Sequence, residues 1–472
     1  MIRYVAILKK SLPWSKKFFF IGIIILYIFF NHMLAFSQES SEEKRWRIKG
    51  FIKNASSFQI SEGNSTHLQK CVNIFEVEPQ FRLNQYIEFH GVFRAYYDAV
   101  FDLEKSGWTD EFRFKNEIRR HNADTVSDPI REFYADITWE RLFMRLGKQQ
   151  VGWGEAIGVK MLDVINPQDM RELNQLDFED SHIPLWMANF TYYPAIMGTS
   201  FQLLCIPDIE PNYLPPAGYP FASQFTNKLQ KLEDQGIINL DSAPNAGKSV
   251  PQNIKNMEIG VRWYQNLPSL EYSLNYFYHW SDVPGIYTAG HFDSSTNYSL
   301  KYHRMHTLGG SFTKTFNRFF GVEGVSLDGE VAVHLNDRVF YVCPFSDPAN
   351  PLGIKMAKTD SFNYYLALYK YVFTDYLVKL QFFQFNTLDY KDEYTVDKSE
   401  NLLSLFLSTD YLQERVQPDL LWVYQDDGNS WVRGRCKFKV TNNWLFNIGF
   451  NLYFDHPYGD QDNLFLEVKY EF

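Results

Sequence analysis

Two groups of charged residues have types and spacing that could do chemistry. Arg433, Arg435, Lys437 and Lys439 alternate with Val432, Gly434, Cys436 and Phe438. In a strand, alternate side chains take opposite faces, so four cations line one face of one strand. They are expected beside Glu467 and Glu471 of the last strand, and opposite an acidic stretch, Trp153 to Pro184. That stretch, WGEAIGVKMLDVINPQDMRELNQLDFEDSHIP, carries Glu155, Asp163, Asp169, Glu172, Asp177, Glu179 and Asp180 against only Lys160 and Arg171. A basic wall facing an acidic segment sets a transverse field across a pore, which selects polar or charged solutes. The plainer alternative is a wall whose charges only neutralise Glu467 and Glu471.

Trp153 to Pro184 breaks strand alternation between two good strands. Asn166-Pro167 with Asp169 favours a turn followed by a short helix. Met161, Leu162, Val164 and Ile165 are apolar enough to be packed, and an ordered connection of this length is usually functional. Two placements stay open. The segment folds into a lumen and constricts it, or it braces a rim from outside.

The elements that would position these groups are strands. The chain ends LFLEVKYEF, with Leu464, Leu466, Val468, Tyr470 and Phe472 on one face and Phe465, Glu467, Lys469 and Glu471 on the other. One face in lipid and one in a polar lumen accounts for the pattern, although an edge strand of a soluble sandwich would share it. In the third strand Glu88, His90, Arg94 and Tyr96 likewise share a face opposite Ile87, Phe89, Gly91, Phe93 and Ala95. Arginine and lysine on the lipid side at the midplane would cost about 2–4 kcal/mol each, so the ladder is expected to face the lumen.

Carried along the chain, this pattern predicts eighteen strands, the first at Arg47 to Ile60 and the last at Asn463 to Phe472; fourteen or sixteen is the alternative count. Short connections alternate with long ones, including 207–256, which holds one helical possibility, Ser223 to Asp234. Asn442-Asn443 reads as a two-residue hairpin turn. The expected fold is all-β: an up-and-down transmembrane barrel with both termini in the periplasm, occupying residues 47–472 after a leader, 38–46.

Composition agrees. Met1 to Ser37 carries Arg3, Lys9, Lys10, Lys16 and Lys17, no acid, the apolar run Phe18 to Phe30, and Ala35-Phe36-Ser37. That is the make-up of a secretory signal peptide cleaved after Ser37. Its removal takes the formal charge from −10 to −15, which excludes nucleic acid and a polybasic membrane surface as partners. Aromatics make 18% of the chain while mean hydropathy is −0.32, and strands that alternate hide from hydropathy windows. Cys71, Cys205, Cys343 and Cys436 are far apart and suggest neither a metal site nor a disulfide framework. No cofactor is implied.

Arg145 to Glu172, RLGKQQVGWGEAIGVKMLDVINPQDMRE, resembles a Gram-negative outer-membrane family catalogued as a domain of unknown function. The likeness rests on Gly147, Gln149, Trp153, Gly154, Glu155, Ile165, Asn166, Pro167, Asp169 and Pro184. Pro215, Pro216, Gly218 and Phe221 resemble a second family stretch, and Phe277 to Pro284 a third. The resemblance implies a porin-like barrel in the outer membrane, or a companion of efflux or hydrophobic-compound transport. The terminal aromatics Tyr470 and Phe472 resemble the signal by which such barrels are recognised for assembly. Expected partners are therefore outer-membrane lipids, the barrel-assembly machinery and envelope transport components.

Three functions stay in play: a passive channel for small solutes, a conduit for hydrophobic compounds or lipids, and a structural barrel with a blocked lumen. A barrel enzyme is not expected. His303 and His306, the best histidine cluster, have opposite parity and no adjacent nucleophile signature.

Overall fold

The computed structural model describes residues 45–60, 67–103, 129–173, 175–215, 217–241, 254–292, 295–342, 354–455 and 461–472. The expected signal peptide and Cys343 lie outside these residues, as do leader residues 38–44. Residues 48–472 form one compact unit.

Its strands in chain order are β1 (Trp46–Gln59), β2 (Leu68–Arg82), β3 (Ile87–Asp98), β4 (Ile130–Trp139), β5 (Leu142–Gln149), β6 (Leu185–Tyr192) and β7 (Thr199–Ile206). There follow β8 (Ile238–Asp241), β9 (Glu258–Leu267), β10 (Leu270–Trp280), β11 (Gly285–Phe292), β12 (Ser295–Lys301), β13 (Arg304–Phe319) and β14 (Val322–Val342). The last seven are β15 (Ile354–Val372), β16 (Tyr376–Thr387), β17 (Ser399–Ser408), β18 (Val416–Gln425), β19 (Ser430–Lys439), β20 (Trp444–Phe454) and β21 (Asn463–Glu471). The helices are α1 (Val100–Leu103), α2 (Phe178–Ser181) and α3 (Gln224–Asp234).

Eighteen strands form one antiparallel sheet in chain order, and β1 closes it by pairing with both β2 and β21. At the seam Phe51 faces Glu471 and Gln59 faces Asn463, and Gly50 and Phe472 exchange backbone hydrogen bonds of 3.1 and 3.0 Å. Closure leaves no unpaired edge, which is what lets a sheet stand in lipid. The remaining strands, β11, β12 and β8, make a three-stranded sheet in which β8 runs parallel to β12. Its core of Ile238, Ile286 and Tyr298 is covered by Leu229 and Leu232 of α3.

Alternation decides the two faces. Along β15 and β16, Tyr365, Gln381 and Phe383 are buried inward, while their neighbours Leu366 and Leu380 stand exposed outward. Outward Leu274, Leu308, Val331, Leu403 and Ile448 continue that apolar belt around the barrel. Exposed Tyr86, Trp139, Phe320, Phe373 and Trp444 crowd the rim with the short connections, and Phe58, Tyr424 and Phe454 the other rim, as aromatic girdles do. Among the described residues no helix is long and apolar enough to cross a membrane.

Each expected strand has its counterpart, and the expected helix is α3, with Ser223 capping it by accepting from the Thr226 amide at 3.0 Å. Two expectations change. The β19–β20 turn spans 440–443, with Val440 N–H bonded to the Trp444 carbonyl at 3.0 Å, not two residues. The long connection 207–256 holds, beyond the expected helix, the strand β8.

Candidate functional site

The chain between β5 and β6 runs into the lumen. Its base is tied by Asn166, which accepts from the Val151 amide at 2.7 Å and donates to the Ile183 carbonyl at 2.8 Å, joining the start of the segment to its end. Pro167 accepts from the Ile183 amide at 2.8 Å, and the Asp169 amide donates to the Ser181 carbonyl at 2.7 Å. These bonds make residues 167–169 and 181–183 a short two-stranded stem.

Trp153 fixes the base to the wall. It is 1% exposed, donates from Nε1 to Gln202 at 2.9 Å and meets Phe277 edge-on at 6.1 Å. A side chain at Gly260 would meet the indole at 3.0 Å, so the missing Cβ there makes its room. Val151, Ile165, Leu185, Met187, Leu204 and Ile206 complete this cluster.

The segment then crosses to the other side of the lumen. The Glu330 carboxylate on β14 accepts from the amides of Glu155, Ala156 and Leu162, the last two at 3.0 Å. Gln381 on β16 accepts from the Ile157 amide at 3.1 Å and donates to its carbonyl at 3.0 Å. Met161 and Leu162 pack on Ala332, Tyr365, Ala367 and Phe383. Counted round the barrel, β16 lies eight strands from β5, so the segment spans the lumen.

Its acidic tip meets a basic wall. Asp177 accepts from Arg435 Nη1 at 2.6 Å, Asp180 from Arg94 Nη1 at 2.6 Å and from Lys53 Nζ at 3.3 Å, and Glu172 from Lys70 Nζ at 2.9 Å. Burial opposes the charge on Asp180, but Lys53, Arg94 and Arg131 outweigh it and hold the carboxyl well below the usual range. Asp177 is lowered too: burial opposes, and Arg435, Lys437 and Lys53 prevail. A cavity of about 30 Å³ between tip and wall is lined by Lys53, Lys70, Arg94, Asp177, Asp180 and Glu467.

The other segment charges hold the fold of the segment itself. Asp169 takes a two-pronged pair from Arg171, with both bonds at 2.9 Å, and the guanidinium lies over Tyr213. Asp163 sits 2.6 Å from His182 Nε2, which is 2.9 Å from Lys160 Nζ. Burial lowers Lys160 to about 8, despite the pull of Asp163. Burial raises Glu155, with Arg262 pulling the other way. Glu179 contributes its carbonyl, bonded by Arg131 at 2.6 Å, while its side chain is exposed.

The ladder on β19 faces the lumen, but not beside Glu467 and Glu471. β20 intervenes, since hydrogen bonding orders the strands β18, β19, β20, β21. Arg435 is paired with Asp419 on β18 at 2.5 Å as well as with Asp177. Glu467 is bonded to Asn447 and Glu471 to Lys469. Lys439 stands exposed near the short-turn rim.

Sequence reasoning missed Glu330, Gln381, Lys53, Lys70 and Asp419. Their only sequence signal is parity: each occupies an inward position in its strand. Tyr470 and Phe472 face outward at the seam, where Trp444 lies 5.0 Å from Tyr470 and Phe472 is stacked on Phe75 at 6.4 Å.

The barrel is similar in fold to several crystal structures. OccAB2 of Acinetobacter baumannii has 8% identity and a TM-score of 0.52, over 92% of this chain and 99% of that one. OccK11 of Pseudomonas aeruginosa has 9% identity and a TM-score of 0.50, over 90% and 95%. OccK9 of the same organism has 10% and 0.50, over 90% and 98%. Identities this low establish shared architecture and no shared substrate. No curated protein sequence matches. The profile of one family, described as a protein of unknown function (DUF1302), matches residues 71–342, more than half of the sequence, and the chain belongs to that family.

Proposed function

We propose that the protein is a porin-like channel of a Gram-negative outer membrane, passing small polar solutes passively, with Trp153 to Pro184 as its constriction. The observation that carries this reading is that the segment is bonded across the lumen: to Glu330 and Gln381 on β14 and β16, and to Lys53 and Arg94 on β1 and β3, six to eight strands away round the barrel. The apolar outer belt supports the membrane setting. In this reading Met1 to Ser37 directs export, and Tyr470 and Phe472 present the chain to the assembly machinery.

The second reading, a conduit for hydrophobic compounds or lipids working with envelope transport components, draws on the burial of Met161, Leu162 and Ile165. Those side chains are close-packed on Tyr365, Phe383 and Phe277, so they serve as an anchor; the cavity beside the segment sets seven charged side chains among the apolar Ala55, Val72 and Ile74, and charge at that density disfavours an apolar occupant. A hydrophobic cargo needs the reverse arrangement. The channel reading is therefore preferred.

Deleting Asp163 to Asp180 and measuring single-channel conductance in a planar bilayer tests it. Larger steps than in the intact protein are expected. Equal conductance from a correctly assembled deletion protein would overturn the constriction, and silence from both would leave the blocked structural barrel.

A further inference from the structure

Asp177 is the N-cap residue of α2, yet its side chain makes no cap bond. An aspartate there ordinarily accepts from the amides of its own helix. This one reaches across to Arg435 at 2.6 Å, and with 44% of its side chain exposed it does so in contact with water. Asp180, three residues on, is gripped from the other flank by Arg94 and Lys53. The two carboxylates thus bridge β19 on one side and β1 and β3 on the other.

The wall they occupy is more basic than its own acids can balance. Lys53, Arg94, Arg131, Arg433, Arg435 and Lys437 all act on Asp177 or Asp180. Glu76, Glu132, Asp419 and Glu467 are the wall acids that act on these cations. With the tip withdrawn, six cations would face four anions around a small water-sized cavity. Such an excess, set in a low-dielectric enclosure, attracts anions strongly.

We infer that this wall is an anion site which the tip closes as a tethered ligand, and that a solute bearing two anionic groups displaces Asp177 and Asp180 from it. The inference rests on the channel reading and deepens it, since the admitted class of solute would itself move the stopper. Glu172, buried together with its partner Lys70, stays behind as the hinge side of the tip.

Inorganic pyrophosphate is the probe, compared with chloride at equal ionic strength so that screening is the same in both. In the intact protein, pyrophosphate is expected to raise conductance where chloride does not. Calorimetry supplies a reading independent of conduction: the Asp177→Asn/Asp180→Asn protein should bind pyrophosphate about tenfold tighter, because a tethered competitor at high effective concentration is gone. Asp177→Asn alone, at the exposed position, should show a smaller shift in the same direction and guards against a double variant that fails to assemble. Glu179→Gln should match the intact protein.

Equal pyrophosphate affinity in the intact and Asn proteins, or no binding in either, would overturn the inference. If the Asp163 to Asp180 deletion opens the pore while these affinities stay equal, only the tethered-ligand idea fails. If the deletion leaves conductance unchanged, the constriction fails whatever the calorimetry reads.

Discussion

At the scale of single residues, one inward carboxylate fixes the course of a whole segment. Glu330 receives three backbone amides, from Glu155, Ala156 and Leu162. Hydrogen bonds to a charged group are worth about 1.5–3 kcal/mol each, because the acceptor is ionised. Glu330→Gln keeps the shape but turns an amide donor toward backbone donors. The segment should loosen while the barrel ladder stays intact, read as larger conductance and new protease cleavage between Glu155 and Leu162. Unchanged conductance and cleavage would place the anchor elsewhere. Lys160 makes the opposite case. Its folded value of about 8 lies below the ordinary 10.5, so between those values the folded chain binds fewer protons than the unfolded one. Stability linked to Lys160 must therefore rise with pH across that window. Lys160→Met should be neutral or stabilising at pH 7 and should flatten the rise between pH 8 and 10, measured as the temperature at which the folded band is lost on a gel. A destabilised variant would mean that the bonds to His182 and Asp163 outweigh the burial.

At the scale of elements, what was legible in the sequence is what alternation encodes. A strand with one face in lipid and one in the lumen announces its length and its faces, so all eighteen barrel strands could be placed, and Ser223 marked the start of α3 by its capping chemistry. β8, β11 and β12 were not legible: β8 has four residues, and its partner β12 lies far along the chain. The ladder shows the same boundary inside the site. Parity put Arg433, Arg435, Lys437 and Lys439 on the lumenal face, but parity does not say which strand lies beside β19 or what crosses the lumen toward it. Asp419 therefore could not be told from Glu467 and Glu471, and of the acidic stretch expected opposite the ladder nothing singled out Asp177 as the partner of Arg435. The docking of the segment's base offers a test at this scale. A leucine at Gly260 would collide with the Trp153 indole and the Leu204 side chain, and with no backbone atom among its nearest contacts. Gly260→Leu should expel the indole and undock the base, raising conductance and tryptophan exposure to quenchers while the barrel still forms. A variant with native quenching would show that the wall can yield, and that Trp153 is held mainly by Gln202 and Phe277.

At the scale of the whole molecule, the barrel exists only once β21 has found β1. The seam is made tight by a residue without a side chain: a Cβ at Gly50 would collide with the Glu76 carbonyl and lie 2.8 Å from the Phe472 ring. Phe472 can therefore lie across β1 and stack on Phe75 of β2, tying three strands on the outer face. Two roles for that terminal ring, packing and recognition by the assembly machinery, predict different behaviour. An aromatic pair is worth about 0.5–1.5 kcal/mol beyond its buried area, which is small beside a ladder closed all round. Phe472→Ala should therefore refold in detergent nearly as well as the intact chain, yet yield little folded protein in the outer membrane of cells. Gly50→Val should fail in both settings, because its clash is with backbone and blocks closure itself. A Phe472→Ala chain that fails equally in detergent would reassign the terminal ring from signal to seam.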